Sequence, residues 1–205
     1  MTPTYWRQAC QTLSACDPIM QQLIEQFSDA SPVSRGCAYT TLARSIVGQQ
    51  ISVKAAESVW QKIIGSLPEI TPHVIAAADH DLLRSCGLSA RKIAYLQDLS
   101  QHFSEGNLSK IAWTGMEDET IIVQLTKVKG IGRWTAEMFL IFHQMRPDIF
   151  PLDDIGLQRA VCERYFSGER PSRRTLSEFG ERWRPWRSVA TWYLWRSLDP
   201  VPVEY

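Results

Sequence analysis

The stretch Leu125-Thr126-Lys127-Val128-Lys129-Gly130-Ile131-Gly132-Arg133-Trp134-Thr135-Ala136 sets two glycines between two apolar runs of helical spacing. Upstream, Ile121, Ile122, Leu125 and Val128 recur at three and four residues; downstream, Ala136, Phe139, Leu140 and Phe142 do the same. Glycine takes φ > 0 without a Cβ penalty, so Gly-x-Gly reverses the chain within a few residues and starts a second helix. The first N–H groups of that helix point outward and suit a phosphate oxygen. A hairpin that only packs fits the same pattern. What raises the first reading is a second stretch, Pro151-Leu152-Asp153-Asp154-Ile155-Gly156-Leu157-Gln158-Arg159, which begins 18 residues after Arg133.

The rest of the chain is helical in pattern almost throughout. Residues 4–16 read as an amphipathic helix ending near Asp17-Pro18, and 19–27 as the next. Residues 28–36 are a loop by composition. Apolar residues at 39, 42, 43, 46 and 47 make a helical stripe up to Gln49. Ser52 caps a helix running to about Ile64, with Ala55, Ala56, Val59 and Ile63 inward. Thr71-Pro72 opens a helix to Ala78, Asp79 a short one to Cys86-Gly87, and Ser89 a run to Phe103. Residues 106–115 read as loop, and Glu117 begins the first helix of the hairpin. Beyond the aspartates, helices are expected over 154–166, 175–183 and 185–197, with 167–174 a polar loop. No alternating strand pattern appears. The fold class is all-α.

Composition narrows the function. At 205 residues, 44% apolar and 21% charged, the chain has material for one large or two small cores. No run approaches the length of apolar sequence needed to span a bilayer, and the start lacks the basic-then-apolar order of a secretory signal. Five scattered cysteines, with no Cys-x-x-Cys pair, argue against disulfide, zinc and iron–sulfur readings and fit a reducing compartment. The 22 basic and 22 acidic residues cancel, so a strong sequence-blind grip on nucleic acid is not expected. Composition alone argues against DNA, and the motifs have to outweigh it.

The hairpin and the Asp153-Asp154 stretch together resemble the helix-hairpin-helix (HhH-GPD) DNA glycosylase superfamily. Within it the chain looks most like the alkylpurine, or 3-methyladenine DNA glycosylase II, family. The resemblance runs from about Asp17-Pro18 to Trp195; its motifs are specific in combination and weak singly. It implies a two-lobed helical fold with the active site in the cleft between the lobes. One lobe would hold residues 36–145 with the hairpin. The other would join 1–35 to 146–205, which carries the catalytic aspartate and the C-terminal tryptophans. Some relatives carry an added N-terminal α/β domain; this chain resembles the minimal form.

The residues then take roles, each beside a plainer one. Two aspartates ahead of an apolar run look like a helix N-terminus, where carboxylates cap N–H groups and answer the dipole. One of the pair is expected to do that. The resemblance gives catalysis to Asp154, which stands five residues before Arg159, and a supporting place to Asp153. A carboxylate near C1′ stabilises the oxocarbenium-like state of N-glycoside cleavage and orients the attacking water. Trp134 stands where bifunctional relatives have a Schiff-base lysine; an indole is no such nucleophile, so lyase activity is not expected. Core packing is the plainer role for Trp134.

Trp183, Trp186, Trp192 and Trp195 fall at spacings that usually pack. In the resemblance, Trp195 stacks on the extruded base, and Trp134, Met138 and Ile155 line its pocket. Aromatic faces attract a cationic alkylpurine by about 0.5–2 kcal/mol per contact. Gln49-Gln50 is either a solvated helix junction or, by resemblance, the place where Gln50 wedges into the duplex. Gly130, Ile131, Gly132, Arg133 and Thr135 would meet phosphate. Arg187 would contact phosphate or Asp154, whereas Lys129 reads as a surface charge. A monovalent cation, Na⁺ or K⁺, on the carbonyls of Thr126, Val128 and Ile131 is the one ion the resemblance offers; no other cofactor is expected.

The expectation is a monofunctional, metal-independent glycosylase that removes alkylated purines such as 3-methyladenine and 7-methylguanine from duplex DNA by base flipping, the first step of base excision repair. The partner would be damaged duplex DNA, with no membrane, and the protein a monomer. It would be cytoplasmic and nucleoid-associated in a bacterium, nuclear in a eukaryote. The alternatives are the same scaffold tuned to hypoxanthine or ethenoadenine, or a non-catalytic module that binds DNA structure.

Overall fold

The computed structural model describes residues 2–28, 31, 32, 37–108, 113 and 115–199, and among these there are helices and no strands. The expected loops at 28–36 and 106–115 lie largely outside the described residues. The chain divides into two compact units, Met1–Ser34 with Leu140–Glu204, and Arg35–Phe139. The division falls inside one helix.

The Arg35–Phe139 unit contains α3 (Ala38–Gly48), α4 (Val53–Ser66), α5 (Pro72–Ala77), α6 (His80–Ser85), α7 (Ala90–Ser104), α8 (Asp118–Leu125) and the start of α9 (Arg133–Phe142). Short polar side chains start most of them. Ser52, Thr71, Asp79 and Ser89 each accept a hydrogen bond from the backbone N–H three residues on. α7 packs on α3, α5 and α6. Its inward face buries Ile93, Leu96, Leu99 and Phe103. Tyr39 of α3 reaches Ser100 of α7 at 2.7 Å, and burial pushes the Tyr39 phenol up to about 12.

The second unit contains α1 (Trp6–Cys16), α2 (Pro18–Gln26), α10 (Ile155–Tyr165), α11 (Arg173–Gly180), a 3₁₀ turn (Glu181–Trp183) and α12 (Arg187–Leu198). α12 packs on α1, α2 and α10 and is buried from Ser188 to Leu194. Trp183 is fully buried, edge-on to Phe150, Tyr165 and Phe179. Asp17 caps α2 through Oδ1, and its Oδ2 accepts from Tyr165 Oη and Trp183 Nε1, both at 3.0 Å.

Several expected boundaries move by a few residues, two of them for reasons the hydrogen bonds show. α11 begins at Arg173, not Thr175, because Ser172 Oγ accepts from Thr175 N–H and nucleates the helix inside the supposed loop. The last helix begins at Arg187 rather than Pro185, after a turn that follows the 3₁₀ segment.

Candidate active site

Asp154 is the last non-helical residue before α10. Its own N–H closes a turn on Pro151 O at 2.9 Å. Its side chain turns back along the helix start, where Oδ1 accepts from Leu157 N–H. The same oxygen accepts from Trp195 Nε1 at 2.7 Å. Two N–H donors on one oxygen fix the plane of a carboxylate that is only 9% exposed. The Trp195 indole in turn stacks on Phe142, with ring centres 5.8 Å apart and planes 15° from parallel. Carboxylate and indole are thus oriented by one another and by the helix N-terminus.

Gly156 makes the arrangement fit. A Cβ there would lie 3.2 Å from Asp154 Oδ1 and 3.2 Å from Trp195 Cδ1. That is tighter than most side chains approach, so a Cβ at the second residue of α10 would displace the carboxylate or the indole by a few tenths of an ångström. Sequence reasoning missed this residue. The available signal was a glycine in the first turn of a helix, where alanine would be the better helix former.

The expected division between the two aspartates is corrected. The residue that caps α10 is Asp154 itself; Asp153 is exposed and pairs with Arg173, Nε to Oδ1 at 3.0 Å and Nη2 to Oδ2 at 3.1 Å. Only the N-cap position aims a side chain at the helix axis, so the buried carboxylate and the capping one are the same. Arg187, expected at phosphate or Asp154, makes its described bonds to neighbouring carboxylates. Its guanidinium is bidentate on Asp148, at 2.7 and 3.0 Å, and meets Glu181 at 3.1 Å. That pairing fastens the segment leading to the aspartate motif to the start of α12; none of these bonds goes to Asp154.

In the other unit, Gly130 has φ +83° at the hairpin tip, and Ile131 N–H returns to Val128 O at 3.1 Å. Ala136 N–H to Gly132 O is the first bond of α9 along its axis. The N–H groups of Gly132, Arg133 and Thr135 therefore lie in the exposed-end turn, as a phosphate site needs. Arg133 is spent on Glu119, at 2.8 and 2.6 Å, and on Glu137 at 3.1 Å. Glu119 and Glu137 hold its guanidinium firmly protonated, the hydrogen bonds to Glu119 foremost. Thr135 is buried.

Trp134 is 37% exposed and Ile155 79%, whereas Met138 is buried at 2%. Trp183 and Trp192 are core, and Trp186 stacks on Tyr5 at 5.7 Å. Gln50 is exposed with φ +60°, while Gln49 donates from Nε2 to Gly130 O at 2.8 Å. Of the carbonyls expected to hold Na⁺ or K⁺, that of Val128 accepts from Ile131 N–H. Among the described residues no group of His, Cys, Asp and Glu side chains is arranged to hold a metal ion.

The family model described as "HhH-GPD superfamily base excision DNA repair protein" matches residues 43–185. A DNA-3-methyladenine glycosylase 1 of Schizosaccharomyces pombe is 31% identical over 90% of this chain and 84% of its own. A putative DNA-3-methyladenine glycosylase of Bacillus subtilis is 31% identical over 88% of this chain and 66% of its own. Among solved structures, a DNA-3-methyladenine glycosidase from Bacillus halodurans superposes with a TM-score of 0.83 at 33% identity, covering 93% of this chain and 89% of that one. The S. pombe 3-methyladenine DNA glycosylase in complex with abasic DNA gives 0.79 at 28% identity, over 96% of this chain and all of the other. Likeness of that length, in sequence and in backbone together, leaves one conclusion: the chain belongs to the HhH-GPD superfamily of base excision DNA repair proteins, in the family of the DNA-3-methyladenine glycosylases.

Proposed function

We propose that this protein is a monofunctional DNA glycosylase that hydrolyses the N-glycosidic bond of alkylated purines, of the 3-methyladenine and 7-methylguanine type, in duplex DNA. One observation carries the catalytic assignment. The Asp154 carboxylate is buried, capped onto α10 and bonded to the indole of Trp195.

In the reaction the bond between C1′ and the purine nitrogen breaks, and the electron pair leaves with the base. An N3- or N7-alkylated purine is cationic, so that pair neutralises it and the base departs readily. The sugar is left with oxocarbenium character, which the Asp154 carboxylate stabilises while it orients water toward C1′. Trp195 serves as an aromatic face for the cationic base and as the clamp that holds the carboxylate. From the hairpin unit, Trp134 is assigned to the damaged base, and having no amine it supplies no Schiff-base route to strand cleavage. Backbone N–H groups at the start of α9 bind phosphate, the carbonyls of Thr126, Val128 and Ile131 would hold a monovalent cation if one binds, and the exposed Gln50 fills the gap in the stack. The enzyme acts as a monomer.

The test is incubation of duplex DNA containing 7-methylguanine or 3-methyladenine with the wild type and with Asp154→Asn. Free purine is measured by chromatography, and nicking with and without alkali. Wild type should release purine and leave alkali-labile sites; Asp154→Asn should lose about 10²–10³ in single-turnover rate. Equal release by both proteins would remove Asp154 from the chemistry. Nicking without alkali would contradict the assignment of Trp134.

A further inference from the structure

Gln50 is a residue other than glycine held at φ +60°, a left-handed conformation that side chains rarely adopt and that persists only where surroundings enforce it. It lies in the turn between α3 and α4, with Ile51 40% and Val53 62% exposed close by. Its predecessor is placed quite differently. Gln49 is half-buried, and its amide donates to Gly130 O at 2.8 Å across 81 residues of chain.

Both ends of that bond are anchored by one face of α7. Lys92 Nζ donates to Val47 O at 2.7 Å and so caps the carbonyl end of α3, from which the turn departs. Tyr95 fills the space beside Gly130, where any Cβ would collide with its ring. Asp98 accepts from Lys129 N–H at 2.9 Å and from Lys129 Nζ at 3.0 Å. Lys92, Tyr95 and Asp98 recur every three residues, so they share one helix face. That face grips the last turn of α3, from which the loop departs, and the hairpin at its tip. Gln49 closes the ring by joining turn to tip directly.

We propose that Gln49 is a positioning residue for base extrusion: its hydrogen bond to the Gly130 carbonyl sets where Gln50 stands relative to the phosphate-binding hairpin. The proposal rests on the glycosylase reading given above, with Gln50 as the residue that enters the stack. Phosphate held at the hairpin fixes the duplex, and the bond then fixes the wedge against that same frame. Without it the turn loses its only side-chain link to the hairpin among the hydrogen bonds described, and Gln50 fills the vacated stack less well. Gln49 touches neither the sugar nor the base in this scheme; it acts through Gln50.

The experiment compares single-turnover excision of 7-methylguanine from two duplexes, one with cytosine opposite the lesion and one with an abasic spacer there. Pairing resists extrusion in the first and is absent in the second. Gln49→Leu keeps most of the volume and removes the donor; it should slow excision about 5- to 10-fold on the cytosine duplex and leave the spacer duplex nearly unchanged. Gln49→Glu, which sets a carboxylate against a carbonyl, should show the same substrate dependence with a larger loss. In a Gln50→Ala background, Gln49→Leu should cost less than about 2-fold more, because the residue it acts through is gone. Thermal unfolding of each variant is measured in parallel. Equal loss on both duplexes, or losses that multiply in the double variant, would show a merely structural role and overturn the proposal. If wild type releases no purine from either duplex, the glycosylase reading itself fails and takes this one with it.

Discussion

The indole N–H of Trp195 and Oδ1 of Asp154 lie 2.7 Å apart, joining the last helix to the first turn of α10 across 41 residues of chain. The bond makes each group dependent on the other. Trp195 is oriented by a carboxylate at its edge and by Phe142 against its face, and the carboxylate is oriented by an indole and a backbone amide. Trp195→Phe should keep the stack and lose the donor. Excision should fall about tenfold, as a buried hydrogen bond to a charged group is worth about 1.5–3 kcal/mol, and the loss should appear in the chemical step rather than in DNA affinity. Unchanged single-turnover rate would make Trp195 a packing residue only.

Capping and catalysis by one side chain can be separated by substitution. Asparagine caps a helix about as well as aspartate, whereas alanine costs about 1 kcal/mol at this position. Asp154→Asn should therefore keep the unfolding midpoint of the wild type while losing excision; Asp154→Ala should lose both. Matching losses of stability in the two variants would contradict the capping geometry.

Gly156→Ala is expected to act against helix propensity. In a free helix the change would stabilise by about 0.8–1.0 kcal/mol. Here the new methyl meets Asp154 Oδ1 and Trp195 Cδ1 at 3.2 Å, so one or both must shift. Excision should drop at least about tenfold, since a small displacement of a reacting group is costly, with little or no gain in stability. A variant that is both more stable and fully active would show that the carboxylate and indole have room to spare.

Asp98 predicts a pH dependence confined to acid. Burial pushes its carboxyl up, but the Lys129 backbone and side-chain hydrogen bonds, with the charges of Lys129 and His102, outweigh that and hold it below the usual value. A carboxyl lowered on folding contributes stability that is whole above its unfolded pKa of about 3.9 and is lost as pH falls through the folded one. Urea unfolding of wild type and Asp98→Asn should differ near neutral pH and converge as pH falls through the lowered folded value, below the usual carboxylate range. A difference that persists undiminished in strong acid would exclude the ion pair as its source.

Asp17 should be the most costly polar side chain to remove from its unit. It is 5% exposed and accepts from Ile19 N–H, Met20 N–H, Tyr165 Oη and Trp183 Nε1 at 3.0–3.1 Å. Asp17→Ala strips the cap of α2 and strands the buried Trp183 indole N–H and the half-buried Tyr165 hydroxyl, at a cost of about 3–5 kcal/mol. Differential scanning calorimetry would read this directly, and a shift typical of a surface substitution would refute it.

Much of this molecule is local and therefore written in the chain. Ser52, Asp79 and Ser89 announce helix starts because a cap bonds a backbone N–H only three residues away. The hairpin is announced by glycines at a turn, and the aspartate motif by its place ahead of an apolar run; both need only nearest neighbours. Ser172 was an equally local signal that the polar composition around it concealed. What tertiary structure alone decided is which partner each polar side chain takes. Arg133 and Arg187 take Glu119 and Asp148, brought beside them from 14 and 39 residues away. Tyr95 is tied to Gly130, Gln49 to the hairpin, and Gly156 to Trp195 by folding, not by spacing. Capping and periodicity act within a few residues and survive in a linear reading; the pairing of charges and the fit of a ring against a missing Cβ exist only once distant segments share the same space.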